Sequence, residues 1–244
     1  MRHHAHRLFI ICLLLCWGGC LHVPTGATVG FRPMRVIETV KPQFPLEMSN
    51  RGITEGQVWL TISVDPDGRL VDRLLTAYTR ASFAKAAIEA LHEWKFEPAR
   101  VAGVPVATRQ EFHFYFSITG QVVSRSGADA HTSPAFLLPQ KPEITVLVVK
   151  EEELDAPLQL DKHVAPDWPP QAPAAVQTGR VTLDYFVDGF GRTRLIAVAK
   201  SDGDAFSDAA TVAVMQWRYA APLRRGEATS VRKREEIVFQ RPPG

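Results

Sequence analysis

Apolar and polar residues alternate along residues 58–64, which have Val, Leu, Ile and Val at every second position. This period-two pattern predicts a strand with one buried face. The next sequence, Asp65-Pro66-Asp67-Gly68, predicts a hairpin turn into a second strand near residues 70–78. A calcium loop of the helix–loop–helix type would need a glutamate where Thr76 stands, so we interpret the aspartates as turn residues.

A helical stripe follows the predicted hairpin. Its apolar positions recur at helical spacing and end in an aromatic residue: Phe83, Ala86, Ala87, Ala90, Leu91 and Trp94. Pro98 ends the helix, since proline disfavours a helical residue before it. Residues 111–118 then alternate again, with phenylalanines on one face. We therefore predict the order strand, strand, helix, strand, with the helix covering the apolar face of the sheet.

The same pattern occurs a second time. Residues 56–65 align with residues 179–188 at a constant offset of 123 positions. The same offset carries the helical stripe onto Phe206, Ala209, Ala210, Ala213, Val214 and Trp217. With a one-residue slip, Pro42-Gln43-Phe44-Pro45 also matches Pro166-Asp167-Trp168-Pro169. The duplication predicts an α+β fold of two tandem small domains, each a three-stranded antiparallel sheet with a helix packed on one face.

The chain divides into four predicted regions: a signal peptide or lipoprotein signal at 1–27, a first domain at 28–120, a linker at 121–150 and a second domain at 151–244. Residues 120–140 are rich in Gly, Ser, Ala and Pro, as expected for a connection. The β-branched run from Ile144 to Val149 predicts an extra strand, which either opens the second domain or bridges the two domains.

The start of the chain resembles a secretory signal. Arg2 and Arg7 precede an apolar run from Leu8 to Trp17, and small residues follow it. The run is shorter than the ~20 residues that a membrane-spanning helix needs, so we expect export to the periplasm or envelope, with a retained N-terminal anchor as the alternative. Cys20 follows two glycines and is a candidate for lipidation. Because no cysteine follows it, disulfides and cysteine sites are excluded from residues 21–244.

The order of these motifs resembles the C-terminal domain of the TonB family. Each copy has proline-x-aromatic-proline, a glycine before an alternating strand, a glycine turn, an Ala-Ala helix ending near a tryptophan and a proline, and a closing strand, over about residues 42–118 and 166–240. The resemblance implies a bacterial envelope protein that binds proteins by pairing a strand edge with an extended segment, notably of an outer-membrane receptor. The family's energy transducers also carry a membrane helix with Ser-x-x-x-His and a long proline-rich spacer. Here the apolar segment has no serine, and the first copy begins soon after it.

We expect the last strand of each copy to be the binding edge. The edge of an open sheet has N–H and C=O groups without partners, and an extended segment can satisfy them by strand addition. The expected edges are residues 111–118 and 234–240. Their predicted partner-binding residues are Glu111, His113, Tyr115, Ser117, Arg234, Glu236, Val238 and Gln240.

A basic cluster lies around the turn before the last strand: Arg224, Arg225, Arg232, Lys233 and Arg234. We interpret it as a set of charges that guard a strand edge against aggregation, with a patch for an acidic partner or anionic surface as the alternative. The formal net charge is +2, and the cluster lacks interleaved aromatic residues. We therefore expect no nucleic-acid partner.

The sequence has no motif for catalysis or metal binding. His-Glu-x-x-His, Gly-x-Ser-x-Gly and Gly-x-x-x-x-Gly-Lys are all absent. We predict a non-enzymatic protein without catalytic residues, metal or cofactor, in which Trp94 and Trp217 are core residues. The leading hypothesis is an adaptor that binds envelope proteins in TonB-linked transport. The alternatives are a membrane-anchored energy transducer and a structural envelope protein with its two sheets joined edge to edge. Membrane contact is expected only through a lipid or N-terminal anchor, and the oligomeric state stays open.

Overall fold

The computed structural model describes residues 30–125 and 143–242. The predicted signal region 1–27, including Cys20, lies outside the described residues, as do residues 126–142 of the predicted linker. Within the described ranges, none of the helices combines the length and the apolar character needed to cross a membrane.

The first half of the chain contains two helices and nine strands within residues 30–125. In chain order these are β1 (Phe31–Arg32), β2 (Arg35–Glu38), α1 (Leu46–Asn50), β3 (Glu55–Val64), β4 (Leu70–Tyr78), α2 (Ala81–His92), β5 (Lys95–Glu97), β6 (Ala99–Val101), β7 (Val104–Val106), β8 (Thr108–Ser117) and β9 (Gly120–Arg125).

The second half repeats the main elements within residues 143–242. In chain order these are β10 (Thr145–Val146), β11 (Val148–Val149), a 3-10 helix (Glu151–Glu153), β12 (Leu160–Lys162), β13 (Thr178–Val187), β14 (Thr193–Ser201), α3 (Asp204–Met215), β15 (Arg218–Tyr219), β16 (Leu223–Arg224), β17 (Glu227–Ala228) and β18 (Ser230–Gln240).

Two separate sheets contain the long strands. The strand order is β10-β4-β3-β8-β9 in the first sheet and β11-β18-β13-β14 in the second. The α+β class is therefore confirmed. The sheets have five and four strands instead of the predicted three, because segments assigned to the linker pair with their edges. The short strands form small ladders at the periphery, in the orders β1-β6-β7, β2-β5, β12-β15 and β16-β17.

The extra strand predicted in the linker bridges the two sheets. Thr145 and Val146 pair antiparallel with the end of β4, whereas Val148 and Val149 pair parallel with the start of β18. The same short run thus covers part of one edge of each sheet. Its β-branched residues suit this role, because they favour extended backbone.

One helix covers the apolar face of each sheet. A tryptophan follows each helix and makes the same hydrogen bond in both copies. Nε1 of Trp94 donates to the carbonyl of Val40 (2.9 Å), and Nε1 of Trp217 donates to the carbonyl of Val164 (2.8 Å). Trp94 is 7% exposed and Trp217 is 1% exposed. The prediction that both tryptophans are core residues is confirmed.

A glycine in the central strand lets each helix approach its sheet. A Cβ atom at Gly56 would lie 2.2 Å from a ring carbon of Phe83, and one at Gly179 would lie 2.6 Å from the ring of Phe206. These distances are far shorter than a van der Waals contact. The glycine and the phenylalanine of each copy therefore form one packing unit, which explains why both recur at the same offset.

Each hairpin turn is closed by an aspartate. Oδ1 of Asp65 accepts the backbone N–H groups of Asp67 (2.9 Å) and Arg69 (2.8 Å). Asp188 makes the equivalent two contacts in the second copy, each at 3.0 Å. This geometry confirms the interpretation of the aspartates as turn residues.

We predict that Gly56→Ala lowers the free energy of unfolding by about 1–3 kcal/mol, because the new methyl group overlaps the Phe83 ring. Urea unfolding measures the change. Gly30→Ala is the matched control, since a Cβ at Gly30 meets nothing within 4 Å. Equal unfolding midpoints for the two variants would contradict this account of the packing.

Candidate protein-binding rim

The last strand of the first copy is an interior strand of its sheet. β9 pairs antiparallel with β8, from Phe112 opposite Arg125 to Ser117 opposite Gly120. Ser117 stabilises the tight turn between them, since its Oγ accepts the backbone N–H of Thr119 (3.3 Å). The expectation that residues 111–118 form an open edge is therefore wrong. Residues assigned to the linker instead satisfy the free backbone groups of β8.

Alternate residues of β8 direct their backbone groups towards β9. The N–H of Ile118 donates to the carbonyl of Thr54 on the β3 side (3.0 Å), so even-numbered residues face β3 and odd-numbered residues face β9. The odd-numbered set includes the four predicted binding residues of this copy: Glu111, His113, Tyr115 and Ser117. β9 lies alongside the last three of them.

His113 and Tyr115 are half-buried on the sheet face opposite the helix. The His113 ring stacks on Trp59, with 4.4 Å between ring centroids, and its Nε2 lies 3.0 Å from Oε1 of Gln57. Burial lowers the pKa of His113. Burial and a hydrogen bond to Glu55 raise the pKa of Tyr115 to about 12. Both rings are therefore uncharged near neutral pH.

The last strand of the second copy has an open edge, which we call the β18 rim. β11 pairs only with Ser230 and Val231, and beyond them no strand of the described residues lies alongside β18. The N–H of Ser230 donates to the carbonyl of Leu147 on this side (2.8 Å), so even-numbered residues direct their backbone groups to the rim. Among them are the four predicted binding residues of this copy: Arg234, Glu236, Val238 and Gln240.

A groove with a volume of ≈ 320 Å³ lies beside the β18 rim. It is lined by residues 235–240 and by a wall of mainly apolar side chains: His163, Ala165, Pro166, Trp168 and Trp217. The guanidinium of Arg241 lies over the Trp168 ring, 4.8 Å from its centroid. An extended segment paired with the rim would place alternate side chains against this wall.

Glu235 at the groove ends a buried chain of hydroxyl groups. The hydroxyl of Tyr185 donates to Oε2 of Glu235 (2.9 Å), and the hydroxyl of Tyr219 lies 2.6 Å from that of Tyr185. Burial raises the pKa of Tyr219 to about 12 and also raises the pKa of Tyr185 above its ordinary value. Both hydroxyls therefore keep their protons at neutral pH. The equivalent positions in the first copy are all apolar: Ile62, Phe96 and Phe112.

Internal carboxylates neutralise most of the predicted basic cluster. Ion pairs join Arg224 to Glu153 (2.8 Å), Lys233 to Glu151 (3.4 Å), Arg232 to Asp184 (3.5 Å) and Arg234 to Asp184 (2.7 Å). The fifth residue, Arg225, is exposed and forms no ion pair with a described residue. Both interpretations of the cluster, charges that guard a strand edge and a patch for an acidic partner, stay predictions.

The two sheets pack through the faces that point away from their helices. Thr61 lies on that face of β3 and is only 4% exposed, and β14 of the second copy contacts β3, β4 and β8. Arg109 of β8 extends into the second copy, where its guanidinium donates to the carbonyl oxygens of Asp184 (3.1 Å) and Leu195 (3.0 Å). The Arg109 side chain is 15% exposed, and its guanidinium lies over the Phe186 ring. The contact between the copies is therefore mainly buried.

A β-bulge creates the acceptors for Arg109. The register of β13 and β14 shifts between Asp184 and Phe186, and Leu195 has a left-handed φ of 51°. A bulge interrupts the ladder, so its carbonyl groups need donors from elsewhere. Beside it, Arg194 makes the reverse contact, since its guanidinium bonds both carboxylate oxygens of Asp72 in β4. Sequence reasoning missed these residues, although charges within a strand pattern were a signal for them.

The comparisons with known proteins agree with the duplication. Residues 40–118 and 164–240 each match the family described as Gram-negative bacterial TonB protein C-terminal, and together they make up more than half of the chain. The chain belongs to the TonB C-terminal family. The resemblance drawn from the motifs is therefore confirmed in both copies. Protein TonB of Vibrio cholerae is 33% identical over 106 residues, which cover 40% of this chain and 43% of that relative. The match thus spans less than half of the relative's length.

The two TonB C-terminal copies of this chain differ in their last strands. Each family match contains three long strands and one long helix. In the first copy the last strand is covered by β9, whereas in the second copy it forms the β18 rim. Family membership therefore does not make the two copies equivalent as binding surfaces.

We predict that Arg109→Met lowers the free energy of unfolding by about 2–4 kcal/mol, because two buried carbonyl groups lose a donor and the Asp184 carboxylate loses a nearby positive charge. Chemical denaturation followed by tryptophan fluorescence measures the change. Arg225→Met is the matched control and should stay within about 0.5 kcal/mol of the wild type, since Arg225 is exposed. An equally small effect of Arg109→Met would show that the two copies do not depend on this contact.

Proposed function

We propose that this chain is a non-enzymatic envelope protein that binds an extended protein segment by strand addition, as an adaptor in TonB-linked transport. The observation that carries the proposal is the β18 rim, where four residues from Arg234 to Gln240 present backbone N–H and C=O groups beside a groove. Backbone groups of this kind are the usual attachment point for an added strand.

Affinity at such a rim comes mainly from the backbone. Each new backbone hydrogen bond contributes about 0.5–1.5 kcal/mol net, so several in a row offset the entropy lost when a short segment becomes ordered. The groove wall from His163 to Trp168 adds apolar contacts for alternate side chains. Together these features fit a short extended segment better than a folded surface.

Family membership supports the link to transport. Both copies belong to the TonB C-terminal family, and the relative from Vibrio cholerae is named Protein TonB. We therefore propose periplasmic segments of outer-membrane receptors as the partner class. Separate sheets that meet through their faces argue against a structural protein with its sheets joined edge to edge.

A membrane-anchored energy transducer is the second candidate, and the likeness to Protein TonB of Vibrio cholerae favours it. Mass spectrometry of the N-terminus of the purified protein distinguishes the forms. An intact Met1 supports the anchored transducer, an acylated Cys20 supports a lipoprotein, and a start near Thr28 supports a periplasmic adaptor.

We predict that Val238→Pro weakens binding at least tenfold while the fold is retained. The N–H of Val238 faces the rim, so proline removes a donor to the partner without removing a bond to β13. The measurement is fluorescence anisotropy with synthetic peptides that copy the periplasmic segments of outer-membrane receptors encoded in the same genome. Urea unfolding of the same variant checks that the sheet is intact.

Tyr115→Pro is the matched control, because Tyr115 occupies the equivalent position of β8 and faces β9. We expect it to lower stability by removing a bond to β9, but to leave peptide affinity unchanged. Strand addition at the β18 rim would be refuted if Val238→Pro bound these peptides as well as the wild type does.

A further inference from the structure

We infer that only the second of the two copies offers a partner site on its last strand, and that this site selects an extended segment with a cationic side chain opposite Glu235. The inference rests on the proposed function and adds to it which copy binds and which chemistry it recognises.

The first copy is closed because its own chain occupies the site. The offset of 123 positions aligns Tyr115 with Val238 and Ser117 with Gln240. In both copies the backbone groups of these residues point away from the central strand of the sheet. In the first copy that side is bonded to β9 over six residue pairs. Since a two-residue turn joins β9 to β8, β9 acts at a high effective concentration, and a separate segment competes poorly with it.

The second copy cannot close in the same way, because Arg241 holds the chain that follows β18. Its Nε donates to the carbonyl of Val176 (2.9 Å), and its NH2 group donates to the carbonyl of Pro173 (2.8 Å). Its own N–H donates to the carbonyl of Gln177 on the β13 side (2.9 Å). Pro242 and Pro243 come next and lack the N–H groups that a returning strand would need.

The groove of the second copy contains a carboxylate where the first copy has an apolar side chain. Glu235 replaces the buried Phe112 of the first copy and lines the groove. The hydroxyl of Tyr185 holds one of its oxygens. A carboxylate fixed beside an apolar wall favours a cation on the incoming segment, because a partly desolvated pair is less screened than one in water.

β9 shows how such a segment would be placed. In the first copy, Arg125 stands opposite Phe112, and Phe112 is the equivalent of Glu235. A strand with the β9 sequence, added to the second copy in the same register, would therefore have its arginine opposite Glu235. Opposite residues of an antiparallel pair lie on the same face and are close enough to form an ion pair.

The test uses a synthetic peptide of residues 120–125, Gly-Gln-Val-Val-Ser-Arg, in an NMR titration of the full chain. We expect shifts of the amide signals of Glu236 and Val238, and none for Tyr115. A peptide with glutamate in place of its arginine should bind at least threefold more weakly. In Glu235→Gln, which keeps an acceptor for Tyr185, the two peptides should bind equally.

Opening the first copy is the second arm of the experiment. Val122 lies opposite Tyr115, so its N–H faces β8, whereas the N–H of Val123 faces away. Val122→Pro should release β9 and allow a second peptide to bind, with shifts at Tyr115. The matched variant Val123→Pro should leave one peptide per chain.

The outcomes separate this inference from the proposed function. Shifts in both copies of the wild-type chain would overturn the single site and leave strand addition standing. No shift at Glu236 and Val238 would overturn the inference that the second copy binds a segment in the register of β9, whereas the proposed function is decided by the receptor peptides. Equal affinities of the two peptides for the wild-type chain would overturn the role of Glu235.

Discussion

A strand at the edge of a sheet exposes one backbone N–H and one C=O group at every second residue, and each group needs a partner in the chain, in water or in another protein. The edges of the two sheets meet this requirement differently. β9 covers one edge of the first sheet, and a single bridging run covers the ends of β4 and β18. From Arg234 to Gln240 no strand of the described residues supplies partners for the outward backbone groups. The proposed function follows from this difference.

The face-to-face contact of the sheets determines which surfaces remain free. Arg109 fills the bulge of the second copy, and Arg194 beside that bulge bonds Asp72 of the first. These reciprocal contacts cover the sheet faces and leave the edges accessible. Asp184 also connects this contact to the β18 rim, since it binds Arg234 through two hydrogen bonds on its other side. The first copy therefore supports the strand that carries the proposed site.

The local elements could be predicted from the sequence, because their causes are local. Alternation, helical spacing and the Asp65 turn depend on neighbours within a few residues, and the offset from Gly56 to Gly179 revealed the duplication. The edge of the first copy was predicted wrongly. Pairing of β9 with β8 depends on the turn after Ser117, and its signal is the Ser-Ile-Thr-Gly sequence at the end of the predicted first domain. The contact between the copies was not predicted, because the acceptors of Arg109 exist only after the bulge has formed.

The most direct measurement is amide hydrogen exchange of the free chain, resolved by residue with NMR. The account predicts fast exchange at the rim positions Arg234, Glu236, Val238 and Gln240, and slow exchange at the intervening positions Glu235, Ile237 and Phe239, whose N–H groups bond β13. It also predicts slow exchange at His113, Tyr115 and Ser117 of the first copy. Equal protection of the rim amides and of these first-copy amides would show that β18 is already covered and would contradict the account.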